Sequence, residues 1–264
     1  SSLICQPTQR GEFAHIDVIN SIMKKAGIRE EILIMLPTYP LDQPTKEEML
    51  RKNMPPRKIY HNCIGKHIAC ILMQRELRGR EEDYWKLESP VQQLIIDYLS
   101  KISDYPREKI KTATDGCGVT VFAVPAQYVA NTFLHLACPE LIEDDYIRPA
   151  AERISSLMNL YPRMISGTNA ICTLLNDDAN IVAKGGALGV YCFGMRKEQL
   201  GIAFKVMDGS YDELPLITTT ILKQIRYDKP KTIEKLMSRF PAIIKNDNNR
   251  NVGEYEAEFK IKEV

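Results

Sequence analysis

Three short segments hold residues able to do chemistry. In His61-Asn62-Cys63-Ile64-Gly65-Lys66-His67 a thiol and an amine stand three residues apart, so on a helical turn Cys63 and Lys66 project from the same side. At a helix N-terminus the unpaired backbone N–H groups favour a thiolate; the plainer alternative is a capped helix with a solvated lysine. Asp115-Gly116-Cys117-Gly118 offers a carboxylate suited to an amino group, next to a cysteine between two glycines that allow a tight turn with backbone close to a ligand. Its plainer alternative is a loop whose aspartate bonds its own backbone. Lys184-Gly185-Gly186-Ala187 continues the run Ile181 to Ala183. A lysine followed by glycines at a strand end lets a substrate lie against the strand; the alternative is a hairpin turn with an exposed lysine. The first reading requires Cys63, Lys66, Asp115, Cys117 and Lys184 to meet around one pocket.

The elements that must position them follow from periodicity and punctuation. Ile16, Ile19, Ile22 and Met23 repeat at helical spacing before Gly27, a C-terminal cap. Thr45 with Glu47 and Glu48 marks a helix start. A helix is expected from about Gly65 to Arg78, and Ser89-Pro90 opens another over Val91 to Ser103. Val119 to Val124 reads as a strand, with a helix from Pro125 through Leu136 and a further one over Glu140 to Leu160. Ile181 to Ala183, Gly189 to Phe193 and Gly201 to Val206 read as strands, with a hairpin turn at Lys197-Glu198-Gln199. Helices around Tyr211 to Ile225 and Pro230 to Arg239 precede a tail, Tyr255 to Ile261, that alternates as a strand should. The pattern implies an α/β (α+β) protein, an antiparallel sheet packed against helices with a helical lobe. The expected organisation is one domain over 1–264, the lobe spanning roughly 28–160 and the sheet-bearing part roughly 1–27 and 161–264.

Composition bounds the partners. A net charge of +1 gives no ground for a nucleic-acid or membrane-surface partner. No apolar run approaches the roughly 20 residues of a membrane span, and Ser1 to Gln6 lacks the regions of a signal peptide. Seven scattered cysteines, an odd number, point to a reducing compartment, hence the cytoplasm. Cys5, Cys70, Cys138, Cys172 and Cys192 read as small buried hydrophobes.

Together the three segments resemble the L-asparaginase II family, a zinc-containing group. The family's His-Asn-Asn-Cys-Ser-Gly-Lys-His element is matched by Tyr60-His-Asn-Cys-Ile-Gly-Lys-His67. Its Asp-Gly-Cys-Gly-x-Pro-x-Phe-Ala element is matched by Asp115-Gly-Cys-Gly-Val-Thr-Val-Phe-Ala123, and Lys-Gly-Gly-Ala-Glu-Gly by Lys184-Gly-Gly-Ala-Leu-Gly189. Leu200 to Gly209 and the upstream Gly11-Glu12 with His15 also fit, so the resemblance covers nearly the whole chain.

The resemblance implies a fold like that of serine β-lactamases and glutaminases, with a five-stranded antiparallel sheet, and hydrolysis of L-asparagine to L-aspartate and ammonia. It implies zinc held by Cys63, Lys66 and Cys117, which suits two thiolates but requires a neutral lysine. Asp115, His61, Asn62, Gly185 and Gly186 would bind substrate, and Lys184 would be a catalytic lysine. The family's nucleophile lies in a Ser-x-x-Lys element expected upstream of Ser1, so the chain is expected to lack the family's N-terminal segment, about 70 residues against the usual domain length. Such a truncation should be accompanied by dimerisation, as a homodimer, or by an unusual strand edge. Ser21-Ile-Met-Lys24 repeats the spacing by coincidence. A second family serine, before Gly-Glu, falls on Arg10, or on Thr8 if the turn shifts; these two join Lys184 as catalytic candidates. Ile64, Leu188 and Ala170 replace a family serine, glutamate and arginine. The alternative is a diverged or truncated, non-catalytic member binding a small amino acid or zinc.

Overall fold

A computed structural model describes residues 9–262. Thr8 and Cys5 therefore lie outside the described residues. The first elements are α1 (Phe13–Ala26), α2 (Gln43–Arg51), α3 (Ile64–Glu76) and α4 (Pro90–Ser103), followed by a hairpin of β1 (Lys111–Thr114) and β2 (Thr120–Ala123). Helices α5 (Ala126–Ala137), α6 (Ile147–Leu160), α7 (Pro162–Ser166) and α8 (Ile171–Asn176) lead into β3 (Ile181–Gly185), β4 (Val190–Met195) and β5 (Leu200–Lys205). Helices α9 (Leu214–Gln224) and α10 (Pro230–Arg239) follow, then a hairpin of β6 (Ile243–Lys245) and β7 (Asn251–Glu254).

The expected α/β architecture is present, with helices flanking antiparallel sheets. The principal sheet has the order β3-β4-β5 among the described residues, three strands against the five that the resemblance implies. Several boundaries follow from caps. Gly27 ends α1 in the left-handed conformation, and Ser89 accepts from Gln92 N ahead of Pro90. Three expectations need correction. The cap of α2 is Asp42, whose carboxylate accepts from Thr45 N and Thr45 Oγ1. The helix expected over Glu140 to Leu160 breaks: a short turn at Pro139–Leu141 precedes α6, because the Asp144 carboxylate captures the N–H groups of Tyr146 and Ile147 and starts the helix there. Tyr255 to Ile261 forms no strand; β7 ends at Glu254, and this tail instead exchanges hydrogen bonds with the Gln224 side chain.

Helix α5 lies across β4 and β5. It can do so because Gly194 and Gly201 are register partners on those strands and have no side chains. A Cβ on Gly194 would stand 2.0 Å from Phe133 O, and one on Gly201 2.0 Å from Ala130 O. The outer edge of β3 is covered by side chains. Asn176 Nδ2 donates to Ala183 O and Asn176 Oδ1 accepts from Ala183 N, as a neighbouring strand would. Asn159 Nδ2 donates to Ile181 O, and Gly185 N donates to Cys172 Sγ. One apolar core joins α1 and α3 to Cys117 and Val119; a second joins β3 and β4 to α8, α9 and α10. Cys70, Cys138, Cys172 and Cys192 are buried as expected. No described helix is long and apolar enough to cross a membrane.

Candidate active site

The core under α1 and α3 carries the chemical cluster. Cys63 sits at the N-terminus of α3, and Lys66 follows on the same face of its first turn. The turn between β1 and β2 delivers Asp115 and Cys117 to that face. It closes through Asp115 N donating to Val119 O and Gly118 N donating to Asp115 O. Gly118 has φ +91°, a left-handed conformation that favours glycine in this turn.

Lys66 Nζ donates to Asp115 Oδ2 at 2.6 Å, and the lysine side chain is 5% exposed against 25% for the aspartate. The solvated-lysine alternative is therefore excluded. The Asp115 alternative is half realised: Oδ1 accepts from Gly116 N at 2.7 Å while Oδ2 serves Lys66. One sulfur each from Cys63 and Cys117 and a carboxylate oxygen of Asp115 all lie within 4.8 Å of one another.

Their electrostatics are mutual. The Cys63 thiol is pushed up, first because it donates to Cys117 and then by burial; Cys117 is pushed down by accepting that bond, against burial, with help from His67 and Lys66. Burial works against a charged Lys66, but Asp115 and the two sulfurs outweigh it and raise its pKa. Cys117 Sγ also donates to Asp115 Oδ2 at 3.6 Å, so the Asp115 carboxylate links the sulfur pair to the Lys66 ammonium.

Two soft sulfurs and a hard oxygen form a donor set suited to zinc. The fully buried His67 adds an Nε2 atom with no hydrogen-bond partner. On chemistry and position, Cys63 and Cys117 fit such an ion. Lys66 would have to give up the proton that Asp115 now stabilises, whereas Asp115 already presents an oxygen.

Beside the cluster opens a cavity of about 270 Å³, lined by Leu36, Pro37, Thr38, Tyr39, Leu41, His61, Asn62 and Gly116. His61 Nδ1 accepts from Cys63 N at 3.0 Å, and burial lowers the His61 pKa. Four expected site residues thus gather here by side chain or neighbourhood: His61 and Asn62 in the wall, Asp115 and Cys117 flanking Gly116.

The strand residues are not in that wall. Lys184 is buried on β3 opposite Cys192 and donates to Gly185 O, so the exposed-lysine alternative is also excluded. Gly186 N donates to Val190 O, and neither Lys184, Gly185 nor Gly186 lines the cavity. Arg10 is exposed on the segment entering α1, with its carbonyl accepting from Asp42 N. Sequence reasoning missed His67, Gln9, which is buried and donates to His61 O, and the wall from Leu36 to Leu41. The signal for His67 was available: it stands four residues after Cys63, one helical turn on.

The family model described as L-asparaginase II matches residues 2–257. Among curated proteins no match is found.

Proposed function

The chain belongs to the L-asparaginase II family, and on that premise we propose that it hydrolyses the side-chain amide of L-asparagine to L-aspartate and ammonia. What carries this reading is the meeting of Cys63, Lys66, Asp115 and Cys117 beside a cavity that accepts a small molecule. Asp115, partly exposed next to Gly116, binds the substrate's amino group, while His61 and Asn62 in the cavity wall orient the rest. Cys63 and Cys117 hold zinc, with Lys66 or Asp115 as a further ligand. Bound zinc supplies a Lewis acid that polarises an amide carbonyl. Lys184 acts as a catalytic amine at the end of β3, with Arg10 and Thr8 as its candidate partners; a fixed strand and a buried stem hold its Nζ in place. The fold kinship with serine β-lactamases and glutaminases, a cytoplasmic location and a homodimer belong to the same proposal. Ammonia release from L-asparagine by the folded chain with zinc is the test, and no release would count heavily against it.

The Lys66–Asp115 ion pair favours a second reading. An ammonium fixed on a carboxylate is neither a base nor a ligand, as befits a non-catalytic site for a small amino acid or zinc. Calorimetry with asparagine, aspartate, glutamine and zinc separates the two: binding without turnover favours this reading, and absence of all binding ends it.

A further inference from the structure

The two edges of the principal sheet are finished differently. The outer side of β3 is occupied by Asn176, Asn159 and Cys172, which bond its backbone. The outer side of β5 has no such cover. Val206 N donates to Gly189 O across the β4–β5 register, and an antiparallel ladder bonds every second pair. Leu200, Ile202 and Phe204 therefore turn their N–H and C=O groups to β4, and Gly201, Ala203 and Lys205 turn theirs outward. Among the described residues nothing bonds those outward groups. Exposure agrees: β4 is buried throughout, whereas Leu200 to Phe204 are half-buried. Nor is this edge guarded by proline or by a free lysine, the usual devices against strand pairing. Its sequence, Leu-Gly-Ile-Ala-Phe-Lys, carries one charge at the end, and the Lys205 ammonium is held on Leu188 O at 2.6 Å.

We propose that β5 is an interface between two copies of this chain, paired antiparallel with itself about a two-fold axis at Ala203, so that two three-stranded sheets become one continuous sheet. Centring on Ala203 engages all three outward residues of each copy: Ala203 faces its own copy, and Gly201 faces Lys205. The two like charges then stand at opposite ends of the pair, each beside a glycine. On the other face Ile202 of one copy lies diagonally opposite Phe204 of the second and extends the apolar core that already holds both. The helices fit the same arrangement. Helix α5 lies over the space between β4 and β5, with Phe133 O above Gly194 and Ala130 O above Gly201. Neighbouring strands stand about 4.8 Å apart, so the two α5 helices come to lie two spacings, about 10 Å, from each other. That is within the usual packing distance of two helices, about 8–10 Å. The pairing gives the homodimer proposed above its interface and does not depend on the amide-hydrolase reading.

Sedimentation equilibrium on the full chain should give twice the mass of one copy at micromolar concentration. Residue-resolved amide exchange then locates the contact. In the dimer the amides of Gly201, Ala203 and Lys205 should be protected and should lose that protection on dilution, while Ile202 and Phe204 stay protected through β4. Ala203→Pro removes an outward N–H without touching a bond to β4. Because the axis passes through this residue, two hydrogen bonds are lost, and self-association should weaken about tenfold or more. A chain that stays monomeric would overturn the interface and the homodimer together. A dimer in which Gly201, Ala203 and Lys205 exchange freely would overturn the interface alone, since another face would then hold it. Protection of those three amides in a monomer would also overturn it, because the same chain would then cover its own edge. Should Ala203→Pro fail to fold, the exchange pattern decides.

Discussion

The Lys66–Asp115 pair is unequal, and that inequality is measurable. Lys66 is almost fully buried, whereas Asp115 is partly exposed to solvent. Removing one partner of a buried pair costs about 3–5 kcal/mol when the stranded charge stays desolvated. Asp115→Asn strands the buried ammonium and should cost on the order of 3 kcal/mol. Lys66→Met strands a carboxylate that water can still reach and should cost less, with the double variant well below the sum. Denaturant unfolding of the three proteins checks this; a Lys66→Met loss equal to that of Asp115→Asn would contradict it. The sulfurs give a second expectation. Zinc should raise the melting temperature of chelator-treated wild type by mass action, and Cys63→Ser or Cys117→Ser should each remove most of that rise in a thermal scan. The types of these residues and their spacings within each segment are legible in the sequence. What is not legible is that Lys66 pairs with Asp115, because a contact across 49 residues depends on the β1–β2 turn docking onto α3.

Elements divide along the same line between local and distant causes. Ser89-Pro90 and Gly27 state their caps in the chain, and the strands β3, β4 and β5 follow from short β-branched runs between turn residues. The break before α6 is set by the Asp144 side chain, which bonds Tyr146 N and Ile147 N; Asp144, Asp145 and Pro149 are start signals within the run, and a helix drawn unbroken from Glu140 passes over them. Nor does the alternation of Tyr255 to Ile261 make a strand without a neighbour to pair with. Gly194 and Gly201 read as ordinary strand residues, yet they are where α5 meets the sheet backbone to backbone. A methyl group at Gly201 would run into Ala130 O, a group that cannot rotate away. Gly201→Ala should therefore cost about 1–3 kcal/mol, the range for overpacking, lowering the melting temperature by several degrees at about 2–4 °C per kcal/mol for a chain this size. Gly116→Ala, where a Cβ would meet nothing, is the comparison, and similar losses for both would refute the close-approach argument.

Two buried carboxylates tie remote parts of the molecule together. Glu12, at the start of α1, accepts from Arg163 Nε and Nη2 and from Thr168 N and Oγ1 in the segment between α6 and α8. Asp178, before β3, accepts from Tyr227 Oη, Lys229 Nζ, Thr232 Oγ1 and Asn180 N and so holds α10 against the sheet. Burial alone would raise both pKa values, but these donors outweigh it and hold both below the ordinary carboxylate value. The sign follows from linkage. A group whose folded pKa lies below its unfolded value contributes stability in full above the unfolded value, about 4, and loses it as pH falls through the folded one. The wild type should therefore lose stability progressively below about pH 5, because the unfolded chain takes up protons first. Asp178→Asn keeps the size and some of the hydrogen bonds but cannot titrate. It should be less stable at pH 7, and its stability should fall less steeply between about pH 5 and pH 3. Urea midpoints across that range test the point, and Glu12→Gln should behave alike. A variant as steep as the wild type below pH 4 would mean that other carboxylates govern acid unfolding and that these two networks do not bind the halves of the fold in the way their geometry requires.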